Sequence, residues 1–256
     1  MRFSIISMMI SSLLSPIFAE PAVIEEVPII VEEVVVEARV LPSQNLPTIL
    51  MYHRIDETPL DKPGYEFLYV SEANFRRQME WINANGFTTI FPEDIFELYR
   101  HERPIMITFD DGYVCNYETA FPILQELGLR ATIFMVGGLI GQDGYLSEEQ
   151  IRRMSDSGLI RIYAHSYTHP NLTELTNEEI EREFTTTNEA IYRITGVPVI
   201  AIAYPFGFAD SRVLEIAARF YQVGFKVGGG SRVNPLALGR VTPENNFNDF
   251  LRLVNR

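Results

Sequence analysis

From Pro47 to its C-terminus the chain alternates short apolar segments with amphipathic segments that begin at helix-capping residues. About seven or eight such strand–helix units fit into roughly 210 residues. Parallel strands joined by helical crossovers need this alternation, so the pattern predicts an α/β fold. We expect a distorted (β/α)7-type barrel formed by a single domain over residues 47–256, rather than an open sheet.

Local signals place the elements within this alternation. Ser147 with Gln150 and Thr176 with Glu179 form capping boxes that predict two helix starts. Pro92 predicts the start of another helix. The predicted strands are short apolar segments, and they comprise residues 48–52, 87–90, 105–109, 131–136, 159–164, 199–204, 222–226 and 237–241.

Residues 1–19 have the pattern of a secretory signal peptide. Arg2 supplies a positive start, the run 3–14 is apolar, Pro16 interrupts it, and Ala19 is a small residue at which cleavage could occur. The apolar run is shorter than the roughly 20 residues that a bilayer-spanning helix needs, so no stable membrane span is predicted. We expect export, either to a periplasm or to the outside of the cell.

Residues 20–46 differ from the rest of the chain because they mix glutamates with Val, Ile and Pro and lack aromatic residues. One interpretation is an acidic spacer between the signal and the domain. The β-branched stretch 29–36 is also compatible with an added edge strand, and the sequence does not decide between the two.

Charge and reactive residues exclude several function classes. The chain has 34 acidic and 21 basic residues and a formal charge of -13, and it lacks the basic clusters that nucleic-acid binding requires. Cys115 is the only cysteine, so an intramolecular disulfide is excluded, and we expect a small buried residue there. A serine or cysteine hydrolase is disfavoured, because no G-x-S-x-G turn is present and Cys115 has no motif context.

Polar residues follow several of the predicted strands: His53, Asp110, Asp111, His165 and, one short loop later, His169. The carboxyl ends of parallel barrel strands converge on one face, so these side chains are expected to meet there. Two imidazoles and a carboxylate suit a zinc-like divalent ion with an open position for water. The spacing of His165 and His169 predicts a helix-like turn that places both on one side. Taken singly, the Asp-Gly pair and the two histidines also fit ordinary turns.

The segments 108–112 (T-F-D-D-G) and 165–170 (H-S-Y-T-H-P) resemble the first two motifs of the polysaccharide deacetylase family, carbohydrate esterase family 4. The resemblance extends from about residue 46 to residue 256 and implies a single catalytic domain. It implies that Asp111, His165 and His169 hold a divalent metal ion, zinc first, with nickel, cobalt or iron as alternatives. It also implies that Asp110 is the catalytic base.

The segment 204–207 (Y-P-F-G) resembles the third motif of the same family, which implies that the backbone N–H of Phe206 stabilises the oxyanion. A simple turn is the alternative interpretation. The chain departs from the family pattern at three points. Ala203 stands where the family usually has an arginine, no histidine follows His169, and Trp81 is the only tryptophan.

The segment 50–55 (L-M-Y-H-R-I) resembles the start of the poly-N-acetylglucosamine deacetylases, in which the motifs are permuted. This resemblance implies that His53 is the general acid, whereas the alternative is a strand-end histidine that only bonds the backbone. Arg240 ends a late predicted strand, and this position alone makes it a candidate to replace the missing arginine.

The family resemblance implies a metal-dependent hydrolase that removes N-acetyl groups from an N-acetylated polysaccharide. Poly-β-1,6-N-acetylglucosamine is the first substrate candidate and peptidoglycan the second. Two alternatives stay open, an O-acetyl carbohydrate esterase and a non-catalytic polysaccharide-binding protein on the same fold. The sequence leaves the oligomeric state undetermined.

Overall fold

The structure is a computed structural model that describes residues 39, 41–42, 46–57 and 68–255. The predicted signal peptide lies outside the described residues, and so do residues 20–38 of the predicted spacer with its alternative edge strand. None of the helices in the described part of the chain combines the length and the apolar character that a bilayer-spanning segment needs.

The described residues contain ten strands, none longer than eight residues. They are β1 (Thr48–Tyr52), β2 (Arg54–Ile55), β3 (Tyr69–Val70), β4 (Thr88–Thr89), β5 (Pro104–Asp111), β6 (Ala131–Met135), β7 (Ile160–Ala164), β8 (Ala201–Ala203), β9 (Val223–Val227) and β10 (Leu238–Arg240). Seven of them form the main path of one sheet in the order β1-β5-β6-β7-β8-β9-β10, and every adjacent pair is parallel.

This sheet almost closes on itself. Just beyond β10, the Val241 N–H donates to the carbonyl of Ile49 at 2.9 Å, and the Met51 N–H donates to the carbonyl of Val241 at 2.9 Å. The two bonds join the last strand to β1, so the predicted distorted seven-stranded β/α barrel is confirmed. Strand β4 pairs with the amino end of β5 outside this ring, and β2 pairs with β3 separately.

The barrel is uneven around its circumference. Strand β5 is eight residues long and continues through Asp110 and Asp111, two residues beyond the predicted end at Phe109. In contrast, β8 has three residues, and only the Ala164–Ile202 register joins it to β7. The long strand therefore carries both aspartates as part of the sheet, where strand pairing fixes their backbone.

In the described part of the chain, six α-helices accompany the strands. They are α1 (Glu72–Ala84), α2 (Phe121–Leu127), α3 (Glu148–Asp156), α4 (Asn177–Thr195), α5 (Ser211–Ala217) and α6 (Phe247–Val254). Both predicted capping boxes are confirmed: the Ser147 N–H donates to Gln150 Oε1 at 2.9 Å, and the Thr176 N–H donates to Glu179 Oε2 at 2.8 Å. These bonds satisfy backbone donors that a helix start would otherwise leave unpaired.

The segment that begins at Pro92 is not an α-helix. It forms a 3₁₀ helix over Pro92–Arg100 that is kinked at Glu97, where φ is -128°. Pro92, Ile95 and Leu98 are its buried residues. A spacing of three places them on one face of a 3₁₀ helix, which has three residues per turn, and this burial favours the tighter form.

Successive side chains of β5 point alternately towards the surrounding helices and towards the barrel interior. Phe109 points towards the helical layer, where its ring centre lies 5.7 Å from that of Phe75 in α1, and Phe75 also contacts Tyr52. Thr108 and Asp110 point the opposite way and contact Arg240. The aromatic cluster anchors β5 to α1, and truncating a fully buried Phe such as Phe75 would cost about 3–5 kcal/mol.

The end of the predicted spacer already contacts the domain. Leu41 is buried, and the guanidinium carbon of Arg39 lies 4.3 Å from the centre of the Phe96 ring. Residues just before Pro47 thus add apolar contacts to the layer outside the barrel.

Candidate active site at the carboxyl ends of the strands

The polar residues predicted from the sequence meet at one end of the barrel. One directly follows β1, two end β5, two follow β7, and one ends β10. In that order they are His53, Asp110, Asp111, His165, His169 and Arg240. Because all the main strands are parallel, their carboxyl ends face the same side, which is where β/α barrels carry their chemistry.

Asp111, His165 and His169 form a three-residue donor set. One potential ligand atom from each lies within 4.8 Å of the others. Asp111 Oδ1 is 3.5 Å from His165 Nε2 and 3.6 Å from His169 Nε2. Metal–ligand bonds of about 2.0–2.2 Å in a tetrahedral site put neighbouring donors about 3.3–3.6 Å apart. The spacing and the donor types therefore fit a divalent ion that leaves a position open for water.

The second nitrogen of His165 fixes its orientation. Its Nδ1 lies 2.7 Å from the backbone carbonyl oxygen of Ala203, so Nδ1–H donates and Nε2 keeps its lone pair towards Asp111. Ala203 occupies the position of the arginine that the family usually carries. In this chain its backbone, rather than its side chain, contributes to the site.

The chain between His165 and His169 is a loop, so the prediction of a helix-like turn is wrong. Ser166 and His169 both have left-handed backbone conformations, with φ of 62° and 60°. The His169 N–H donates to Ser166 Oγ at 3.0 Å, which closes the loop and brings the second imidazole back towards the first. Left-handed backbone at residues other than glycine is unfavourable, and the surrounding hydrogen bonds offset that cost.

Glu183 in α4 holds this loop in place through its carboxylate, in a contact that we call the Glu183 clamp. Its Oε2 accepts the N–H of Tyr167 at 2.7 Å and the N–H of Thr168 at 2.8 Å, and its Oε1 accepts the Thr168 hydroxyl at 2.7 Å. One carboxylate thus satisfies three donors of the segment that connects the two histidines. Glu183 could not be predicted as a site residue from the sequence, because a glutamate on a helix gives no local signal of such a role.

Arg240 forms a bidentate ion pair with Asp110. Its Nη1 and Nη2 donate to the two carboxylate oxygens at 2.6 Å each, and Nη1 also donates to Thr108 Oγ1 at 3.2 Å. Burial by itself raises the pKa of Asp110, but Arg240 and the nearby His165 outweigh it and hold that pKa well below its ordinary value. Asp110 is therefore a carboxylate held in a fixed position. Arg240, which was a candidate only because of its position in the sequence, lies in direct contact with it.

His53 also lies near Asp110, with Nε2 4.0 Å from Asp110 Oδ2. Burial lowers the pKa of His53 to about 4, although the charge of Asp110 opposes this effect. The backbone carbonyl of His53 accepts a hydrogen bond from Asn116 Nδ2 at 2.8 Å. His53 is thus uncharged at neutral pH and within reach of the carboxylate through a small movement or one water.

Burial shifts the pKa values of the three donor residues, upwards for the acidic residue and downwards for the two basic ones. It raises the pKa of Asp111 and lowers the pKa of His165 and His169. Both changes follow from the cost of a charge in a poorly solvated site. The uncharged imidazoles are the form that binds a metal ion, and a bound cation would offset the cost of ionising Asp111.

Phe206 lies in a short turn, Pro205–Gly207, directly beyond the carboxyl end of β8. Its φ is 58°, and its ring centre lies 4.7 Å from that of His169. The structure thus brings the predicted third motif to the loop that carries His169. The role of its backbone N–H stays a prediction.

Strained backbone is concentrated around this site. Five non-glycine residues among the described ones have a positive φ, and four of them, Asp111, Ser166, His169 and Phe206, belong to the site or its loops. Backbone strain of this kind persists only where the surroundings enforce it, and it is common at functional sites.

Two tyrosines near Asp111 were also not predicted as site residues from the sequence. Tyr113 lies near the Asp111 carboxylate and opposes the effect of burial on the pKa of Asp111. Its ring is stacked on that of Tyr145 with centres 5.1 Å apart. Tyr113 directly follows the D-D-G segment, so its nearness to the metal donors could have been inferred from the sequence. The partnership with Tyr145 depends on the long loop after β6.

Comparisons with known proteins agree with the geometry. The sequence profile described as polysaccharide deacetylase matches residues 98–224. The YxkH protein of Bacillus subtilis (strain 168) is 33% identical over 189 residues, which cover 72% of this chain and 65% of YxkH. A poly-beta-1,6-N-acetyl-D-glucosamine N-deacetylase of Staphylococcus aureus (strain MRSA252) is 23% identical over 177 residues, which cover 62% of this chain and 60% of that protein. The matched region thus spans less than two thirds of either relative.

A solved structure provides the strongest support. The crystal structure of a polysaccharide deacetylase from Bacillus cereus is 33% identical and superposes with a TM-score of 0.74, covering 82% of this chain and 69% of that one. Identity at this level over most of both chains, together with the family profile and the donor set, leads to one assignment. This chain belongs to the polysaccharide deacetylase family.

Proposed function

We propose that this chain is a metal-dependent hydrolase that removes N-acetyl groups from a polysaccharide containing N-acetylglucosamine. The observation that carries the proposal is the donor set of Asp111, His165 and His169 directly beside the paired Asp110 and Arg240. A site that only bound sugars would not need a buried carboxylate oriented by a guanidinium next to a complete set of metal ligands.

Asp111, His165 and His169 would hold the ion, and we propose zinc because two imidazoles and one carboxylate are ligands that it accepts. When bound, a divalent ion supplies Lewis-acid activation of a water molecule and of the acetamide carbonyl. The protein contributes the fixed geometry of the donors, which the Ala203 carbonyl and the Glu183 clamp support.

Asp110 is proposed as the base that accepts a proton from the attacking water. Arg240 keeps the carboxylate ionised and holds both of its oxygens in place, so one oxygen faces the site in a fixed direction. His53 is proposed as the acid that protonates the departing amine nitrogen. It begins uncharged, and the 4.0 Å separation from Asp110 lets Nε2 receive the proton that Asp110 has accepted. One proton thus moves from water through two side chains to the amine.

The backbone N–H of Phe206 is proposed as the donor to the oxygen that becomes negatively charged during attack on the acetyl carbon. The turn Pro205–Gly207 supports this assignment, because its left-handed residue lies beside the His169 ring. Backbone donors of this kind contribute strongly to acyl transfer when they are already in position.

Poly-β-1,6-N-acetylglucosamine is the proposed first substrate and peptidoglycan the second. The L-M-Y-H-R-I segment around His53 supports this order, and so does the similarity to the staphylococcal deacetylase. An acidic chain with a charge of -13 also suits a polymer that becomes cationic as its amines are freed.

The test is acetate release by the purified chain from β-1,6- and β-1,4-linked N-acetylglucosamine oligomers, with an O-acetylated xylan as a third substrate. Each assay is run with added zinc and again with excess chelator. We expect zinc-dependent release from the N-acetyl oligomers, fastest with the β-1,6 linkage. Release from the O-acetyl substrate alone would replace the proposal by an esterase, and binding without release from any substrate would replace it by a polysaccharide-binding protein.

We also propose that the protein is exported, on the basis of the signal pattern in residues 1–19. Expression of the full chain in a bacterial host, followed by N-terminal sequencing of the protein from the cytoplasmic, periplasmic and medium fractions, tests this. A mature protein beginning near residue 20 is expected. Retention of the intact N-terminus in the cytoplasm would refute export.

A further inference from the structure

Three exposed apolar side chains lie side by side next to the metal-binding loop. Phe206 is 57% exposed, Phe208 55% and Val227 44%. Only six large apolar side chains are exposed among the described residues, so half of them belong to this one patch. We refer to Phe206, Phe208 and Val227 as the apolar shelf.

The apolar shelf begins next to the His169 ring. The Phe206 ring centre lies 4.7 Å from that of His169, and the Phe208 ring centre lies 6.5 Å further on with the two rings tilted by 32°. Val227 is the last residue of β9 and lies against Gly207, the residue that separates the two phenylalanines in the sequence. The shelf therefore leads outward from the site as one surface.

The shelf is also held in place without a ligand. Gly207 has a φ of 76°, and a Cβ there would lie 2.7 Å from the Cβ of Val227, so the turn packs tightly on the strand end. The Phe208 N–H donates to the carbonyl of Pro205 at 3.2 Å, and Lys226 Nζ donates to the carbonyl of Ala209 at 3.1 Å. Both aromatic rings are presented by a braced turn, which lowers the entropic cost of binding.

Single exposed apolar residues are ordinary on protein surfaces, but a contiguous patch beside a polar site is typical of ligand binding. Three side chains cannot supply the roughly 1,000 Å² that a specific protein interface needs. One face of a pyranose ring presents C–H groups while its hydroxyls point sideways, and this shape suits a flat aromatic surface of limited size.

We infer that the apolar shelf binds the pyranose ring next to the one whose acetyl group is removed. The enzyme would then bind at least two linked sugar units. This inference rests on the proposed function and deepens it. The expected consequence is a catalytic efficiency that increases with oligomer length and that depends on Phe208.

The experiment compares the full chain with the variant Phe208→Ala on β-1,6-linked N-acetylglucosamine oligomers of two to five units. Phe208 is the residue to change, because Phe206 also carries the proposed backbone donor. We expect kcat/KM for the pentamer to fall about tenfold, mostly through KM, which corresponds to about 1.4 kcal/mol. The loss should grow with oligomer length. Tyr99→Ala is the matched control and should leave the rates unchanged, since Tyr99 is 65% exposed and lies in the 3₁₀ helix that precedes the amino end of β5.

Calorimetric binding of the pentamer to chelator-treated protein separates this inference from the proposed function. Tighter binding by the wild type than by Phe208→Ala supports the role of the shelf, whether or not acetate is released. The absence of acetate release would refute deacetylation and leave the role of the shelf standing. Equal affinity and equal kcat/KM of the two proteins at every oligomer length would overturn the shelf while deacetylation stands.

Discussion

The Asp110–Arg240 pair and the His169 loop belong to the same site and are held in different ways. Asp110 and Arg240 end two barrel strands, are almost fully buried, and bind each other through two charged hydrogen bonds. His169 is partly exposed, lies outside any strand or helix, and depends on a left-handed backbone and on the Glu183 clamp.

The difference separates what the barrel fixes from what a local network fixes. Removing one partner of a buried ion pair leaves an uncompensated charge, so the strand side couples catalysis to the stability of the whole fold. The loop side relies on hydrogen bonds that are individually worth about 1 kcal/mol, or about 1.5–3 kcal/mol when the acceptor is charged. We therefore expect changes on the strand side to alter folding and turnover, and changes on the loop side to alter metal affinity.

The largest effect is expected for Arg240→Ala. It leaves Asp110 buried without its partner, and the free energy of unfolding should fall by about 3–5 kcal/mol. Turnover should fall at least about a hundredfold, because the proposed base loses its orientation. Chemical denaturation and acetate release measure the two losses.

Arg240→Lys and Arg219→Ala sharpen this test. Lysine keeps the charge but cannot form the two-pronged contact, so an intermediate loss is expected. Arg219 pairs with Glu181 on the surface, and its removal should change stability by less than about 1 kcal/mol. If Arg240→Ala changed stability as little as Arg219→Ala, the buried ion pair would not contribute more to stability than a surface ion pair does.

His53→Ala is expected to lower kcat by about 10²–10⁴-fold while zinc affinity stays near that of the wild type. The reason is that His53 faces Asp110 and is not one of the three donors. Steady-state acetate release and zinc titration against a competing chelator are the measurements. Unchanged turnover would remove His53 from the mechanism, and a large loss of zinc would place it with the metal ligands instead.

The third prediction concerns pH. The pKa of His53 is about 4 in the folded protein, below the value near 6.5 expected in the unfolded chain. Between these values the unfolded chain binds the proton and the folded protein does not, so stability falls as the pH drops from about 6.5 to about 4, by about 3 kcal/mol. The depressed pKa of Asp110 acts in the same direction, but its contribution is lost only at still lower pH.

Unfolding of chelator-treated protein at several pH values checks this prediction, with His53→Gln as the comparison. The variant should show a shallower loss of stability between pH 6.5 and 4, because glutamine binds no proton in that range. Identical slopes in the two proteins would mean that His53 is better solvated than its burial indicates.

The smallest effect is expected for Glu183→Gln. The amide keeps one acceptor but turns an N–H₂ group towards donors of the loop, so the loop that presents His169 should loosen. Zinc affinity, measured by competition with a chelator, should fall about tenfold. Glu181→Gln on the same helix is the control, and it should leave zinc affinity unchanged. A loss of thermal stability without a loss of zinc affinity would make the Glu183 clamp purely structural.

The chain could be interpreted well from its sequence wherever the signal was local. Capping boxes marked the starts of α3 and α4, and apolar segments marked the barrel strands. The fold class followed from their alternation. The candidate metal ligands could be predicted to lie together, because polar residues after parallel strands must meet at one end of the barrel. Strand lengths and helix type were less accurate, as in β8 and in the 3₁₀ helix at Pro92, because packing decides them.

Only the tertiary structure brought Arg240 to Asp110, across 130 residues of sequence. That contact requires β10 to pair with β9 and the ring to close on β1, and no local pattern encodes strand order or register. The left-handed loop between the two histidines and the exposure of Phe206 and Phe208 were likewise decided by closure and packing. Local propensities and periodicity specify which residues can form an element, whereas the neighbours that a side chain meets depend on how distant elements pack together.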